Sequence, residues 1–388
     1  MKDGRFEDTP PIGLFKRGKR PGNQKTSILV HSPVILPLFT DFIYSLAHFF
    51  VCFAIQKAKM SSIQPAKKIG NIFQNTIPTS QSVKGGMLKI LWQFLTTKNE
   101  REPKIPLGPF HTDAAIYNTP PATGLRITWM GHSSLLIEID GRRILTDPVW
   151  GPRASFSSFI GPKRFFPAPL PLGELPALDA IILSHDHYDH LDHPTIKKLA
   201  SGNTPIYCSI GVGGIIEKWG VNKSRITEMN WADTATVGGD LSITATPARH
   251  FSGRSITNRN QTLWSSFVIK GKNHNIFFGA DSGWFPGFKD IGDAYGPFDL
   301  TMLEIGAYGE GWPDIHMGPV KACDAHIALR GKVMMPIHWG TFNLALHDWK
   351  EPVEIFLKEA KQKQITAFLP TPGIPTEVNG SYNSAWWE

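Results

Sequence analysis

The stretch Ser184-His185-Asp186-His187-Tyr188-Asp189-His190-Leu191-Asp192 decides how this chain is read, because it sets three imidazoles and two carboxylates within the six residues from His185 to His190. The apolar run Ala180-Ile181-Ile182-Leu183 before it has the length and composition of a short buried strand. Pro194 to Ala200 predicts a helix after it, so the ligand-type side chains fall on the turn leaving a strand. Binding sites of α/β sheets form at such ends. In an HxHxDH string the first two histidines can grip one ion, while the aspartate and third histidine point to a neighbouring position about 3.5 to 4 Å away. Solvation alone does not gather four ligand-type side chains at this spacing. One short loop therefore seeds a two-metal hydrolytic site.

Two metal ions need four or five N and O donors each, more than the loop supplies. Three later stretches offer the remainder, each an apolar strand followed at once by a ligand. Leu241 to Thr246 runs into Pro247-Ala248-Arg249-His250, Asn275 to Phe278 into Gly279-Ala280-Asp281, and Val333 to Pro336 into Ile337-His338. A capping aspartate or a satisfied core histidine would explain any one of them, but not all three beside the metal loop.

Further strings accompany these: WMGHSS at 129–134, LTDP at 145–148, TLW at 262–264, FGADSG at 278–283, GPFDL at 296–300, IGAY at 305–308 and IHWGTF at 337–342. Together they resemble the metallo-β-lactamase superfamily, and within it the branch of N-acylphosphatidylethanolamine-hydrolysing phospholipase D and its bacterial relatives. The metal loop marks the superfamily; Tyr188, IGAY and IHWGTF point to the branch. The resemblance runs in order over residues 86–388 and involves nothing before residue 60.

The resemblance implies an α/β protein with the αββα sandwich architecture, two packed β-sheets flanked by helices, and a site along one edge. It implies two zinc ions, the first held by His185, His187 and His250, the second by Asp189, His190 and His338, with Asp281 bridging them. Asp147 would orient the metal loop and its bound water from behind. His316 would lie near the substrate phosphate, although the stretch from Trp312 to His316 is shorter than the family's. Asp147, Asp189, Asp281 and His316 are thus the expected catalytic group. The implied reaction converts N-acylphosphatidylethanolamine to N-acylethanolamine and phosphatidic acid, using a water whose pKa the two zincs lower. His316 and a zinc-bound water are both open as proton donors to the leaving alcohol. Iron or manganese would suit the same donors, so zinc rests on the resemblance.

Two other readings compete. This superfamily changes substrate by changing loops, so the same centre could cleave a soluble sugar-phosphate lactone or small phosphodiester. A non-enzymatic, membrane-associated metal protein fits less well, since a structural zinc site is closed by four ligands with no open position. Lipid is favoured by the segment from Pro148 to Pro176, where seven prolines accompany Trp150, Phe156, Phe159, Phe165, Phe166, Arg153, Lys163 and Arg164. Such a segment can meet acyl tails and anionic headgroups together; the stretch from Arg254 to Trp264 is a second candidate wall. A phospholipid substrate and peripheral membrane contact are therefore the expected partners.

At 388 residues, 41% of them hydrophobic, the chain can bury a large core, and its formal net charge of +7 is modest. No Lys/Arg tract or aromatic-basic motif marks the catalytic part, which argues against nucleic acid. Three isolated cysteines, Cys52, Cys208 and Cys323, argue against a disulfide scaffold and suit a reducing, cytoplasmic compartment. Oligomeric state is not legible; a homodimer stays open.

Three regions are expected. Residues 1–60 form a basic and apolar extension, 61–120 a lead-in helix and linker, and 121–388 the hydrolase domain. Within the first, Val34 to Ile55 is long enough to span a bilayer but is interrupted by Pro37, Asp41 and His48. Whether it spans, touches or ignores a membrane is left open, as is a start at Met60. Helices are further expected over Gly85 to Thr97, Gly214 to Trp219, Val320 to Leu329 and Pro352 to Lys363. Strands are expected over Leu125 to Met130, Leu135 to Ile139 and Arg143 to Thr146, the last two joined by an Asp140-Gly141 turn.

Overall fold

Along Ala180–Leu183, Ala180 and Ile182 join one buried cluster while Ile181 and Leu183 join another. A strand that is apolar on both faces needs cover on both, which is the layered arrangement this chain adopts. The computed structural model describes residues 63–81, 86, 92, 96–255 and 257–388, all within one compact unit, Phe53–Glu388. The expected extension 1–60, its apolar run 34–55 and most of the expected helix from Gly85 to Thr97 lie outside the described residues.

The strands, in chain order, are β1 (Lys68–Ile69), β2 (Ile72–Phe73), β3 (Leu125–Gly131), β4 (Ser134–Ile139), β5 (Arg142–Thr146), β6 (Ala180–Leu183), β7 (Ile206–Ser209), β8 (Ile226–Met229), β9 (Thr234–Val237), β10 (Leu241–Thr246), β11 (Ser266–Lys270), β12 (Asn275–Phe278), β13 (Phe298–Glu304), β14 (Gly331–Ile337), β15 (Thr366–Leu369), β16 (Thr376–Glu377) and β17 (Tyr382–Asn383). The helices are α1 (His193–Leu199), α2 (Val212–Lys218), α3 (Gly287–Tyr295), α4 (Gly318–Ala328) and α5 (Glu351–Gln362). Of the two large sheets one has the order β16-β3-β4-β5-β6-β7-β8 and the other β17-β15-β14-β13-β12-β11-β10-β9, while β1 and β2 pair with each other alone. Ile127, Ile137 and Ile182 of the first meet Ile243, Phe267 and Phe277 of the second in the shared core. Helices α1 and α2 bury Ile196, Val212 and Ile216 against Met130, Leu136, Leu145, Ile181 and Leu183 on the outer face of the first sheet. Phe288 and Ile291 of α3, Ala322 and Ala325 of α4, and Val353 and Phe356 of α5 pack with the second sheet. This is the expected αββα architecture.

The Asp140-Gly141 turn has positive φ at both residues, +48° and +81°, as a tight two-residue hairpin requires. The Asp140 carboxylate also accepts hydrogen bonds from the backbone N–H groups of Asn273 (2.7 Å) and His274 (3.0 Å), in the turn between β11 and β12. The sheets are thereby tied at the end opposite the site. Strands β5 to β8 run parallel, as do β12 to β15, so their carboxyl ends gather on one edge.

Among the described residues no helix is long and apolar enough to cross a membrane.

Candidate metal centre

Apart from His316, each chemically active side chain lies at or just past the carboxyl end of a strand. His132 follows β3, Asp147 follows β5, the loop of His185, His187, Asp189 and His190 follows β6, His250 follows β10, Asp281 follows β12, and His338 follows β14; Glu304 ends β13. His132, Asp147, Ala280 and His338 all have positive φ, between +33° and +62°. Non-glycine residues held there cost free energy, and they cluster where the surroundings over-determine a functional geometry. Packing at this edge is equally tight. A Cβ added to Gly306 would lie 2.2 Å from the His338 carbonyl oxygen. Gly306→Ala is therefore expected to destabilise the fold by about 1 to 3 kcal/mol and to displace His338, read as a lower denaturation midpoint together with reduced metal content. Unchanged values in both would mean that the two strand ends yield freely.

The ligand atoms converge in three overlapping sets, one of Asp281, Glu304, His316 and His338 and two that include residues of the metal loop. In the two loop sets, the atoms of His185, His187, His250 and Asp281 lie within 4.8 Å of one another, as do those of His132, Asp189, His190 and His338. Asp281 faces both loop sets. Its Oδ1 is 3.0 Å from His190 Nε2 and 3.1 Å from His338 Nε2, and its Oδ2 is 3.6 Å from His250 Nε2 and 3.8 Å from His185 Nε2.

Tautomers decide whether these sets suit a metal. His250 Nδ1 donates to the Ile315 carbonyl at 2.8 Å, and His185 Nδ1 meets Ser184 Oγ at 2.9 Å, whose own proton goes to Asp147. Both Nε2 atoms are thus left as lone pairs, and both point at His187 Nδ1, 2.9 Å and 3.2 Å away. One proton cannot satisfy three convergent nitrogens. In the second set, His190 Nε2, His338 Nε2 and Asp281 Oδ1 are buried without a hydrogen-bond partner although they lie close together. Buried polar atoms are rarely left this way unless something else pairs them. Around a tetrahedral ion with bonds of about 2.1 Å, donors sit about 3.4 Å apart, and these spacings fit.

The electrostatics agree. Burial holds the His185 and His250 imidazoles well below their ordinary value, which keeps them neutral and able to donate a lone pair. Burial also opposes charge on His190 and His338, but Asp281 and Asp189 outweigh it, raising His190 well above its usual range and His338 to about 10. The Asp281 carboxyl, despite burial, is held well below the carboxylate range by His190 and His338. Positive charge is favoured wherever these histidines meet these carboxylates, and a bound metal cation would supply it.

Asp147, fully buried, accepts from Ser184 N at 2.8 Å, Ser184 Oγ at 2.6 Å and His190 Nδ1 at 2.7 Å, so it holds the metal loop at its first residue and at its last histidine. Arg254, which opens the stretch expected as a second wall, braces the metal loop. It stacks on Tyr188 at 4.0 Å and donates to the Asp186 and Leu191 carbonyls at 2.8 Å each, while Gly253 N donates to Asp186 Oδ1 at 2.6 Å. His316, half-buried at the opening with His187, Tyr188 and Asp189, donates through Nδ1 to Glu304 Oε2 at 2.7 Å.

The structure thus brings together His185, His187, Asp189, His190, His250, Asp281 and His338, with Asp147 behind them and His316 beside them. Sequence reasoning assigned no role to two neighbours. His132 Nε2 lies 2.9 Å from Asp189 Oδ2, with its ring 3.8 Å from that of His338. It obeys the same pattern of strand followed by ligand that revealed the others. Glu304, fully buried, has its carboxyl pushed up by burial, partly offset by His316; a lone acid within the apolar run Met302 to Ile305 was the available signal.

Comparison with known proteins fits this geometry. The chain is 44% identical over 303 residues to an uncharacterized protein of Mycobacterium tuberculosis, covering 77% of this chain and 80% of that protein. It is 37% identical over 240 residues to N-acyl-phosphatidylethanolamine-hydrolyzing phospholipase D 1 of Caenorhabditis elegans, covering 58% of this chain and 67% of the nematode protein. The solved isothiocyanate hydrolase from Delia radicum gut bacteria shares the fold, with a TM-score of 0.54 at 20% identity over 65% of this chain and 99% of that one. Residues 142–339, which hold the metal loop and every other ligand-type residue of the site except His132, match the beta-lactamase superfamily domain, and the chain belongs to that superfamily.

Proposed function

We propose that this chain is a zinc-dependent phosphodiesterase that hydrolyses N-acylphosphatidylethanolamine to N-acylethanolamine and phosphatidic acid. The observation that carries the reading is the pair of buried four-donor sets joined through Asp281, taken with the similarity to the nematode phospholipase D. His185, His187 and His250 would hold one zinc, Asp189, His190 and His338 the other, with Asp281 between and His132 beside the second. Two zinc ions would supply positive charge to a phosphodiester and acidify water at neutral pH.

The protein's own groups do the rest. Asp147, Ser184 and the Ile315 carbonyl fix the histidine tautomers so that Nε2 of His185 and His250 stay unprotonated. Glu304 holds His316 by Nδ1–H, which leaves an Nε2 lone pair that would take up the proton lost by the attacking water and hand it to the departing alkoxide. Glu304→Gln is expected to lower kcat by about 10- to 100-fold with a smaller change in KM, and to add little in a His316→Ala background. Independent, additive losses would remove the pair from the mechanism.

The deciding experiment is hydrolysis of N-acylphosphatidylethanolamine in detergent micelles by metal-analysed protein, with a His185→Ala control and mass-spectrometric detection of products. Phosphatidic acid and N-acylethanolamine at about two zincs per chain support the reading. No turnover with the metal bound would overturn it and direct the search to lactones and small soluble phosphodiesters.

A further inference from the structure

The segment from 148 to 173 carries Arg153, Lys163 and Arg164 and no carboxylate over its 26 residues. Much of it is core. Val149 and Ala154 pack with Phe342, and Phe166 and Leu170 are buried. Its tip is different: Phe156, Phe159 and Ile160 are 78%, 85% and 67% exposed. Single exposed apolar side chains are ordinary, but three large ones within five residues form a patch that water disfavours.

The tip is built rather than loose. Arg153 donates from Nε to the Ser158 carbonyl at 3.2 Å and from Nη1 to the Gly161 carbonyl at 2.5 Å. Ala154 N donates to the Pro162 carbonyl at 3.0 Å, and Phe159 N to Ser157 Oγ at 3.1 Å. These bonds hold the apolar side chains outward over a base that carries the cations Arg153 and Lys163. The Phe156 ring lies 6.3 Å from that of Tyr188 in the metal loop. A cavity of about 280 Å³, lined by Ser155 and Phe156 on the tip and by Tyr188, Trp219 and Arg254, connects this tip with the back of that loop.

We propose that the 155–161 tip is a membrane-docking wedge that inserts Phe156, Phe159 and Ile160 into a bilayer containing anionic lipid, with Arg153 and Lys163 at headgroup level. Exposed apolar side chains flanked by two cations, on a segment that carries no acid, match the boundary between acyl chains and anionic headgroups. A second copy of this chain would want a flatter patch with carboxylates to meet those cations. The inference deepens the lipid-hydrolase reading by placing the bilayer beside the metal loop, but its test does not need turnover.

Full-length protein is sedimented with vesicles of pure phosphatidylcholine and of phosphatidylcholine with phosphatidylglycerol, comparing wild type with Phe159→Ser/Ile160→Ser. Binding to the anionic vesicles is expected to fall at least about tenfold in the variant, while its folding, metal content and turnover of a dissolved short-chain substrate stay unchanged. In parallel, an environment-sensitive fluorophore on Phe159→Cys, in a Cys52→Ser background, is expected to shift to the blue on adding anionic vesicles. Vesicle binding equal to wild type together with an unshifted fluorophore overturns the proposal. So does a shift that tracks protein concentration without vesicles, which would make the tip a self-association face. Docking without hydrolysis would leave this inference standing and remove the lipid substrate.

Discussion

Asp281→Asn is expected to reduce turnover by at least about a thousandfold and to lower bound metal by about one ion per chain. The substitution keeps size and shape, so packing around this buried residue is preserved and only charge and donor pattern change. Both carboxylate oxygens are engaged at once, Oδ1 toward His190 and His338 and Oδ2 toward His185 and His250. In asparagine one of these positions becomes an NH2 group aimed at nitrogens that need an electron acceptor of another kind, and the negative charge facing both sets is gone. Excess metal should not restore activity, because the loss is of the shared oxygen and not of affinity alone. Kinetics beside metal analysis on the same preparation check this. Full activity with undiminished metal would sink the two-metal reading.

The reason so much of the centre is legible in the sequence is that its ligands obey a local rule. An apolar run ends and a ligand follows, as at Leu183-Ser184-His185 or Phe278-Gly279-Ala280-Asp281. The parallel runs of the two sheets make that rule three-dimensional by bringing the carboxyl ends of β5 to β8 and of β12 to β15 to one edge. What escaped was non-local. Nothing near Arg254 in sequence says that its guanidinium lies on Tyr188, 66 residues earlier, because that contact depends on how two loops cross above the edge. Likewise Glu304 gains its meaning only from His316, which reaches back across the end of β13. Helix α3 was missed for a different reason. Gly287, Asp290, Gly292 and Asp293 are poor helix formers, and tertiary burial of Phe288 and Ile291 overrides their preference. Strands β7, β8, β11 and β13 were not separated from other short apolar runs, which periodicity alone cannot assign to strand or helix.

Asp147 offers the sharper test of how the scaffold governs the metals, because it touches no convergence point of the ligand atoms yet controls which nitrogen of His190 can reach one. Its carboxylate accepts from His190 Nδ1, so that nitrogen carries a proton and Nε2 is the atom left to present a lone pair to a metal. In Asp147→Ala the Ser184 N–H and His190 lose their partner, the imidazole is free to rotate, and metal affinity of the set around His190 is expected to fall about 10- to 100-fold. Stability should drop by about 1 to 3 kcal/mol for the buried donors left unpaired. Asp147→Asn should separate the two effects. Its carbonyl oxygen can still accept from Ser184 N, sparing stability, but its NH2 group now faces His190 Nδ1 and favours the tautomer with the proton on Nε2. The Asn variant should therefore fold better than the Ala variant and bind metal no better, with activity in both partly recovered at high metal concentration. Titration of bound metal alongside thermal denaturation reads both quantities, and an Asn variant with wild-type metal affinity would mean that Asp147 holds the loop in place without setting the tautomer of His190.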